Sequence, residues 1–264
     1  MSTVKHTFVI CAYQESTFLE DCVKSLYNQT VSSKLLMVTS TPNEFIKDIA
    51  DKYGIELRIN SGKKGIVNDW NFAYSQADTQ YITIAHQDDV YAKTYTEIMI
   101  KEMERAEKPL IGFTDYAEIR ENQIVKNNTM LKIKRLMLLP LNVRSFHKSR
   151  FLRRRILSFG CPICCPSVIF NKENLPVQIF KEGYRSDEDW QAWEKLSRLN
   201  GEFVYCSRIL TFHRIHGESA TTAIIGDKVR SREDYEMFLK FWPEPIAKML
   251  VSLYSKSEKS NEIH

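Results

Sequence analysis

Along the first hundred residues, short apolar runs alternate with segments whose apolar positions recur every three to four residues. The short runs are residues 7–11, 35–38, 55–59 and 81–85. Rich in Val, Ile, Leu and aromatic side chains, they predict strands with both faces covered. Between them Phe18, Leu19, Cys22, Val23 and Leu26 form one helical stripe. Phe45, Ile46 and Ile49 form a second, and Ile66, Val67, Trp70, Ala73, Tyr74 and Ala77 a third. Thr17 and Glu20 are spaced as a capping box for the first helix. Strands separated by helices imply right-handed crossovers and an α/β fold, a mainly parallel central sheet flanked by helices.

The second half is less regular. Residues 110–116 and 118–125 read as strands, and Trp190, Trp193 and Leu196 recur at helical spacing. Ser186 and Asp189 are spaced as an N-cap and its third residue. From residue 227 the chain reads as helical, with Tyr235, Phe238, Leu239 and Trp242 as its stripe, and fades into a polar tail after Tyr254. The expected organisation is a main domain over 1–225 and a helical extension over 226–264. Those C-terminal helices would either cover a binding site or mediate oligomerisation.

Charge changes the picture in one place. Residues 130–159 hold nine basic side chains and no acidic one, interleaved with Leu, Met, Ile and Phe. Pro140 should interrupt any helix there. Such a stretch is either a solvated face or a surface suited to an anionic membrane. The whole chain, at net +4 with 43% hydrophobic and 27% charged residues, is otherwise ordinary. That balance, without stacking-aromatic motifs, argues against nucleic acid as a partner. Six cysteines without a second matching cluster read as buried free thiols rather than a zinc site, which fits a reducing cytoplasm. No leader segment and no apolar run of about 18 residues is visible, so the expected location is cytoplasmic with at most peripheral membrane attachment.

The chemistry concentrates at the end of the fourth predicted strand, where Tyr81-Ile82-Thr83-Ile84-Ala85 runs into His86-Gln87-Asp88-Asp89. Ligands of such sheets bind outside the strands' carboxyl ends, and adjacent carboxylates there suit a divalent cation with a phosphate. Acid pairs after strands also occur simply as turn residues. His86 and Asp88 share a face of an extended chain. No Gly-x-Gly-x-x-Gly follows the first strand and no Gly-Lys-Ser/Thr loop is present, which disfavours dinucleotide and P-loop sites.

The order of several motifs resembles family 2 glycosyltransferases of the GT-A fold. Phe8-Val9-Ile10-Cys11-Ala12-Tyr13-Gln14-Glu15, then Ser25-Leu26-Tyr27-Asn28-Gln29-Thr30, is similar to that family's opening. Asn60-Ser61-Gly62 with Gly65 and Asn71 follows. His86-Gln87-Asp88-Asp89 stands at its Asp-x-Asp motif, Ser186-Asp187-Glu188-Asp189-Trp190 at its Glu-Asp motif, and Arg214-Ile215-His216 at its late Arg-x-His segment. The chain departs where the family has Asp-Asp-Gly-Ser, here Thr39-Ser40-Thr41-Pro42-Asn43, at His86 in place of the motif's first Asp, and at Trp70 in place of an Arg.

The resemblance implies a metal-dependent inverting transfer from a nucleotide-sugar donor to a hydroxyl of a glycan, lipid-linked or protein-linked acceptor, in cell-surface polysaccharide or glycoconjugate biosynthesis. Mn²⁺ or Mg²⁺ would sit on Asp88, with His216 completing its shell. Ala12, Tyr13, Glu15, Ser40, Asp69, His86 and Asp89 would face the donor, and Arg214 would clamp its diphosphate. Asp189, or else Glu188, would act as the base; helix capping by these acids is the competing explanation. The altered donor positions leave a second reading, a catalytically decayed GT-A protein kept as a binding subunit.

Overall fold

Residues 4–217 and 228–259 are described in this computed structural model. Strands β1 (His6–Ala12), β2 (Lys34–Thr39), β3 (Glu56–Ile59) and β4 (Tyr81–His86) lie parallel in the order β3-β2-β1-β4. The two-residue period of β1 divides its side chains between two cores. Phe8 and Ile10 pack with Leu19, Cys22, Val23 and Leu26 of α1 (Leu19–Tyr27). Val9 packs with Ala73 and Tyr74 of α3 (Ile66–Gln76) on the opposite face. Helix α2 (Glu44–Tyr53) ends where Gly54 adopts φ 62°, a left-handed cap that only glycine takes without strain.

The predicted capping box of α1 does not form. The helix starts after Phe18, whose preceding turn is closed by Ser16. The Glu20 carboxylate instead takes Lys52 at 2.7 Å and the Tyr53 hydroxyl at 2.8 Å, charge-assisted partners stronger than a backbone N–H.

Beyond β4 the sheet continues through β8 (Val168–Asn171), β6 (Pro109–Arg120) and β9 (Glu202–Ile215) to β5 (Val90–Tyr91). Strand β6 runs parallel to β9, and β8 is antiparallel to both its neighbours. The two strands expected over 110–125 are one long strand and its hairpin partner β7 (Gln123–Val125). Glu121 and Asn122 form the turn at φ 48° and 63°, the paired left-handed geometry that matches the twist of a tight hairpin. Strand β5 (Val90–Tyr91) pairs antiparallel with the end of β9. That pairing brings residues 213–216 against the turn between β4 and β5. Helix α4 (Tyr95–Glu104) follows.

Helix α5 (Thr129–Leu138) stops just before Pro140, as its sequence predicts, and α6 (Arg150–Leu157) follows two short 3-10 turns. The basic side chains here divide into two sets. Arg153 is buried and donates to the carbonyls of Ser197 at 2.8 Å, Gly201 at 2.5 Å and Leu199. Arg135 pairs with Asp115 and Arg154 with Glu194. Lys132, Arg144, Lys148, Arg150 and Arg155 remain exposed, beside exposed Leu136, Leu139, Val143, Phe146, Phe151 and Phe159.

Helices α7 (Glu188–Ser197), α8 (Lys228–Leu239) and α9 (Glu244–Lys259) complete the chain. Met237, Phe238 and Ala247 share the core of Ile82, Trp190 and Trp193. The Trp242 indole N–H donates to the Ser158 carbonyl at 2.7 Å. The expected boundary at 225/226 lies outside the described residues. Among the described residues no helix is long and apolar enough to cross a membrane.

Candidate active site

The turn after β4 is fixed by charge. Asp89 is fully buried, and its Oδ1 accepts from His213 Nδ1 and from the Arg214 backbone N–H, both at 2.9 Å. Burial alone would push the His213 imidazole down, but the Asp89 carboxylate outweighs it and raises the ring to about 9. At neutral pH His213 is therefore an imidazolium, set against the buried Asp89 and partly open to solvent. The Arg214 guanidinium donates to the Asp88 carbonyl at 3.0 Å, covers the Phe18 ring at 4.3 Å and approaches Asp21 at 3.6 Å. With its backbone locked this way, Asp88 presents a carboxylate whose Oδ2 meets His216 Nε2 at 2.9 Å. Burial opposes ionisation of Asp88, yet the His216 bond and the neighbouring His86 and His213 hold its carboxyl below the usual carboxylate range.

The two atoms that converge at Asp88 and His216 fit a divalent cation. Octahedral coordination with bonds of about 2.1 Å separates adjacent ligands by about 3.0 Å, close to the 2.9 Å seen here. Among the described residues no group of three or more His, Cys, Asp or Glu side chains converges as a metal cage. Two protein ligands would leave the remaining positions to water and substrate phosphates; the carboxylate is the ligand Mg²⁺ or Mn²⁺ favours, and the imidazole nitrogen is the softer of the pair.

Across a cavity of about 250 Å³ from Asp88 stands the first turn of α7, which contributes Glu188 and Asp189. Asp189 Oδ1 accepts its neighbour Trp190's N–H at 2.6 Å, and Oδ2 faces the Cys161 thiol at 3.8 Å. Burial raises the Asp189 carboxyl above its ordinary range despite those contacts. Glu188 is pushed up to about 7 by burial and then by the charges of Asp189 and Glu233. A buried carboxylate with raised proton affinity, open to a cavity, is a stronger base than a solvated one.

Ser186 does not cap α7, as its spacing predicts; its hydroxyl is buried without a hydrogen-bond partner. The cap comes from α8. The Glu233 carboxylate accepts from the N–H groups of Arg185 at 2.9 Å, Ser186 at 2.8 Å and Asp187 at 3.4 Å. Glu233 thus holds the chain that leads into α7, taking two N–H groups before the N-cap residue and, at the longest distance, that of the N-cap residue Asp187 itself.

His86 lines the same cavity and stacks on Trp70 at 5.1 Å with 13° between the rings. Burial lowers the His86 imidazole, the Asp89 and Asp88 charges countering only in part, so it is neutral. Its Nε2 is buried without a hydrogen-bond partner. The substitutions at Trp70 and His86 are thus one unit, an indole supporting an imidazole.

The fold sits in a known group. The sequence pattern of glycosyl transferase family 2 matches residues 7–175. The chain belongs to that family. A glycosyltransferase of uncharacterised function from Rickettsia conorii is 24% identical over 229 residues, 84% of this chain and 36% of that protein. A second, from Rickettsia felis, is 22% identical over 223 residues, 83% and 35%. The chain thus spans about a third of the length of the curated relatives it matches. In shape it resembles S. aureus TarS 1-349 in complex with UDP-GlcNAc, with a TM-score of 0.64 at 14% identity over 94% of this chain and 70% of that one. It also resembles the mannosyltransferase PcManGT from Pyrobaculum calidifontis in complex with GDP-Man and Mn²⁺, at 0.61 and 13% over 95% and 69%. At such identity these likenesses establish the GT-A fold.

The other residues expected at the donor lie apart from the cavity wall. Tyr13 and Glu15 are exposed past β1, Ala12 is buried, and Tyr13 is tied to the turn after β4 through Gln87 at 2.8 and 3.0 Å. Ser40 donates to Asp69 at 2.8 Å, and Asn60 holds that carboxylate's other oxygen at 2.8 Å. Asp89, wholly enclosed, holds the turn rather than lining the cavity. Arg214 and His216 do reach the same aspartate. His213, which strand alternation places on the opposite side, still reaches the site because Asp89 lies across that face. Lys134, Tyr116, Cys161 and Tyr254 also line the cavity, and no local motif announces them.

Proposed function

We propose that this chain is an inverting glycosyltransferase that moves a sugar from a nucleotide-sugar donor to a hydroxyl of a glycan or glycoconjugate. The observation that carries this reading is the placement of Asp88, with His216 bonded to it, and Asp189 on one cavity in a family 2 GT-A fold. TarS was solved with UDP-GlcNAc and PcManGT with GDP-Man and Mn²⁺, which supports a nucleotide-sugar as the donor class. Asp88 and His216 would hold Mn²⁺ or Mg²⁺, whose charge would neutralise the donor diphosphate.

The chain's own groups supply the rest. Asp189 takes the acceptor hydroxyl's proton as its oxygen attacks the anomeric carbon and the bond to the diphosphate breaks. Attack from the face opposite the leaving group inverts the anomeric centre. Glu188, pushed up to about 7, is the second candidate on the same turn. Trp70 and His86 form part of the wall of the cavity that holds Asp88. The apolar and basic surface of α5, α6 and the turns between them supports action at an anionic membrane, on an acceptor held there.

Purified protein is to be melted against nucleotides and nucleotide-sugars with and without Mn²⁺. A ligand at about 100 times its dissociation constant adds roughly 2.7 kcal/mol, an easily read shift. The reading expects a metal-dependent shift with one nucleotide class, lost in Asp88→Asn. It also expects sugar transfer to be lost in Asp189→Asn while that shift is kept. No shift with any donor would favour a decayed GT-A protein acting as a binding subunit.

A further inference from the structure

Lys134 projects from α5 into the cavity that Asp88 and Asp189 line. Its ammonium bonds the buried Tyr116 hydroxyl at 2.9 Å and, among the described residues, lies within ion-pair distance of no carboxylate. An ammonium has three donors, and a neutral phenol accounts for one. The other inward basic residues of the same acid-free stretch are compensated, Arg135 by Asp115, Arg154 by Glu194, and Arg153 by three carbonyls. His213, which lines the same cavity, is itself an imidazolium held by Asp89. The carboxylates of Asp88, Asp187, Glu188 and Asp189 line the same cavity, and the Lys134 charge is felt at Asp189, but none of them makes an ion pair with it. With no carboxylate in direct contact, the remaining donors of the ammonium are left for an oxyanion that enters the cavity.

We infer that Lys134 is an anion-binding group of the cavity, oriented by Tyr116, that holds a phosphate or carboxylate oxygen of the substrate. This rests on the reading of the cavity as the transfer site. Two sources share that chemistry, the donor's diphosphate and an acidic group on the transferred sugar or acceptor. In either case the two unspent N–H donors of Lys134 form charge-assisted bonds to the oxyanion. The sequence gives no warning of it, because Lys134 differs from its eight basic neighbours only in what the fold sets before it.

The test is melting and affinity of wild type, Lys134→Met and Lys134→Arg, at fixed excess Mg²⁺, against pyrophosphate, UDP, GDP, glucuronate and, as a neutral control, glucose. Without ligand, Lys134→Met should melt close to wild type, because Lys134 makes no direct ion pair within the fold. Its affinity for one anion class should fall roughly tenfold or more, the worth of a charge-assisted hydrogen bond, and Lys134→Arg should restore much of it. A loss confined to pyrophosphate, UDP and GDP assigns the diphosphate; a loss confined to glucuronate assigns an acidic sugar or acceptor. Should Lys134→Met fail to fold, Lys134→Gln takes its place, and unchanged anion affinities in that variant would overturn the proposal. So would unchanged anion affinity in Lys134→Met, or a wild type that responds to none of the four anions. A Lys134-dependent response to pyrophosphate with none to UDP or GDP would keep this site and remove the nucleotide donor.

Discussion

Glu188 carries a pH dependence that can be read directly as stability. Its folded carboxyl sits at about 7 against an ordinary 4.5. A raised value means the folded state holds the proton more tightly, so its contribution is fully present below about 4.5 and lost as pH rises through 7. The span corresponds to at most about 3 kcal/mol. Urea unfolding at pH 5 and pH 8 should show this loss, and Glu188→Gln should flatten the slope between them; an unchanged slope would remove Glu188 as its source. Asp189 is governed by the same burial, so the acid limb of transfer should lie above the usual carboxylate range. The Cys161 contact pulls Asp189 down, and Cys161→Ala should move that limb to higher pH in a profile of kcat/KM. Asp88 and Asp189 were legible in the sequence because each follows or opens an element whose pattern is strong. His213, Tyr116 and Lys134 were not, because their roles arise from what distant strands and helices set opposite them.

Helix α7 is where local and tertiary control of an element part company. Its sequence spacing nominates Ser186 as the cap, yet the three N–H groups before the helix are held by Glu233 of α8. Ser186→Ala should therefore change stability little, since its hydroxyl has no hydrogen-bond partner to lose. Glu233→Ala should cost about 1 to 2 kcal/mol in urea unfolding, the range for a lost helix cap. It should also lower transfer, because Asp189 stands on the turn so released. Equal costs for the two substitutions would contradict the trans cap. The same division explains which elements the sequence reveals. β1, β2, β4 and α1 to α3 each bury a regular face, so their periods show, whereas β3 buries no side chain fully. β8 is only four residues long, and β9 shifts register against β6 between Thr114 and Tyr116, which breaks its alternation.

At the scale of the whole molecule, the outward basic and apolar residues of 130–159 are joined to the C-terminal helices. The Arg155 guanidinium lies over both Phe151 at 5.6 Å and Trp242 at 4.6 Å, and Phe159 meets Trp242 at 5.5 Å. Folding has spent Arg135, Arg153 and Arg154 inside and left Lys132, Lys148 and Arg150 outside with Leu136 and Phe151, each 69% exposed. An apolar surface rimmed by one sign of charge complements anionic lipid, at about 1 kcal/mol for each basic side chain near the headgroups. The protein should cosediment with vesicles containing phosphatidylglycerol and not with phosphatidylcholine alone. Salt should weaken that binding, since screening shortens the reach of exposed charges. Lys148→Glu with Arg150→Glu should reduce it at least tenfold while leaving the nucleotide response of the cavity unchanged, because neither side chain lines it. Equal binding to neutral and anionic vesicles, or none to either, would assign this face to contact with another protein surface instead.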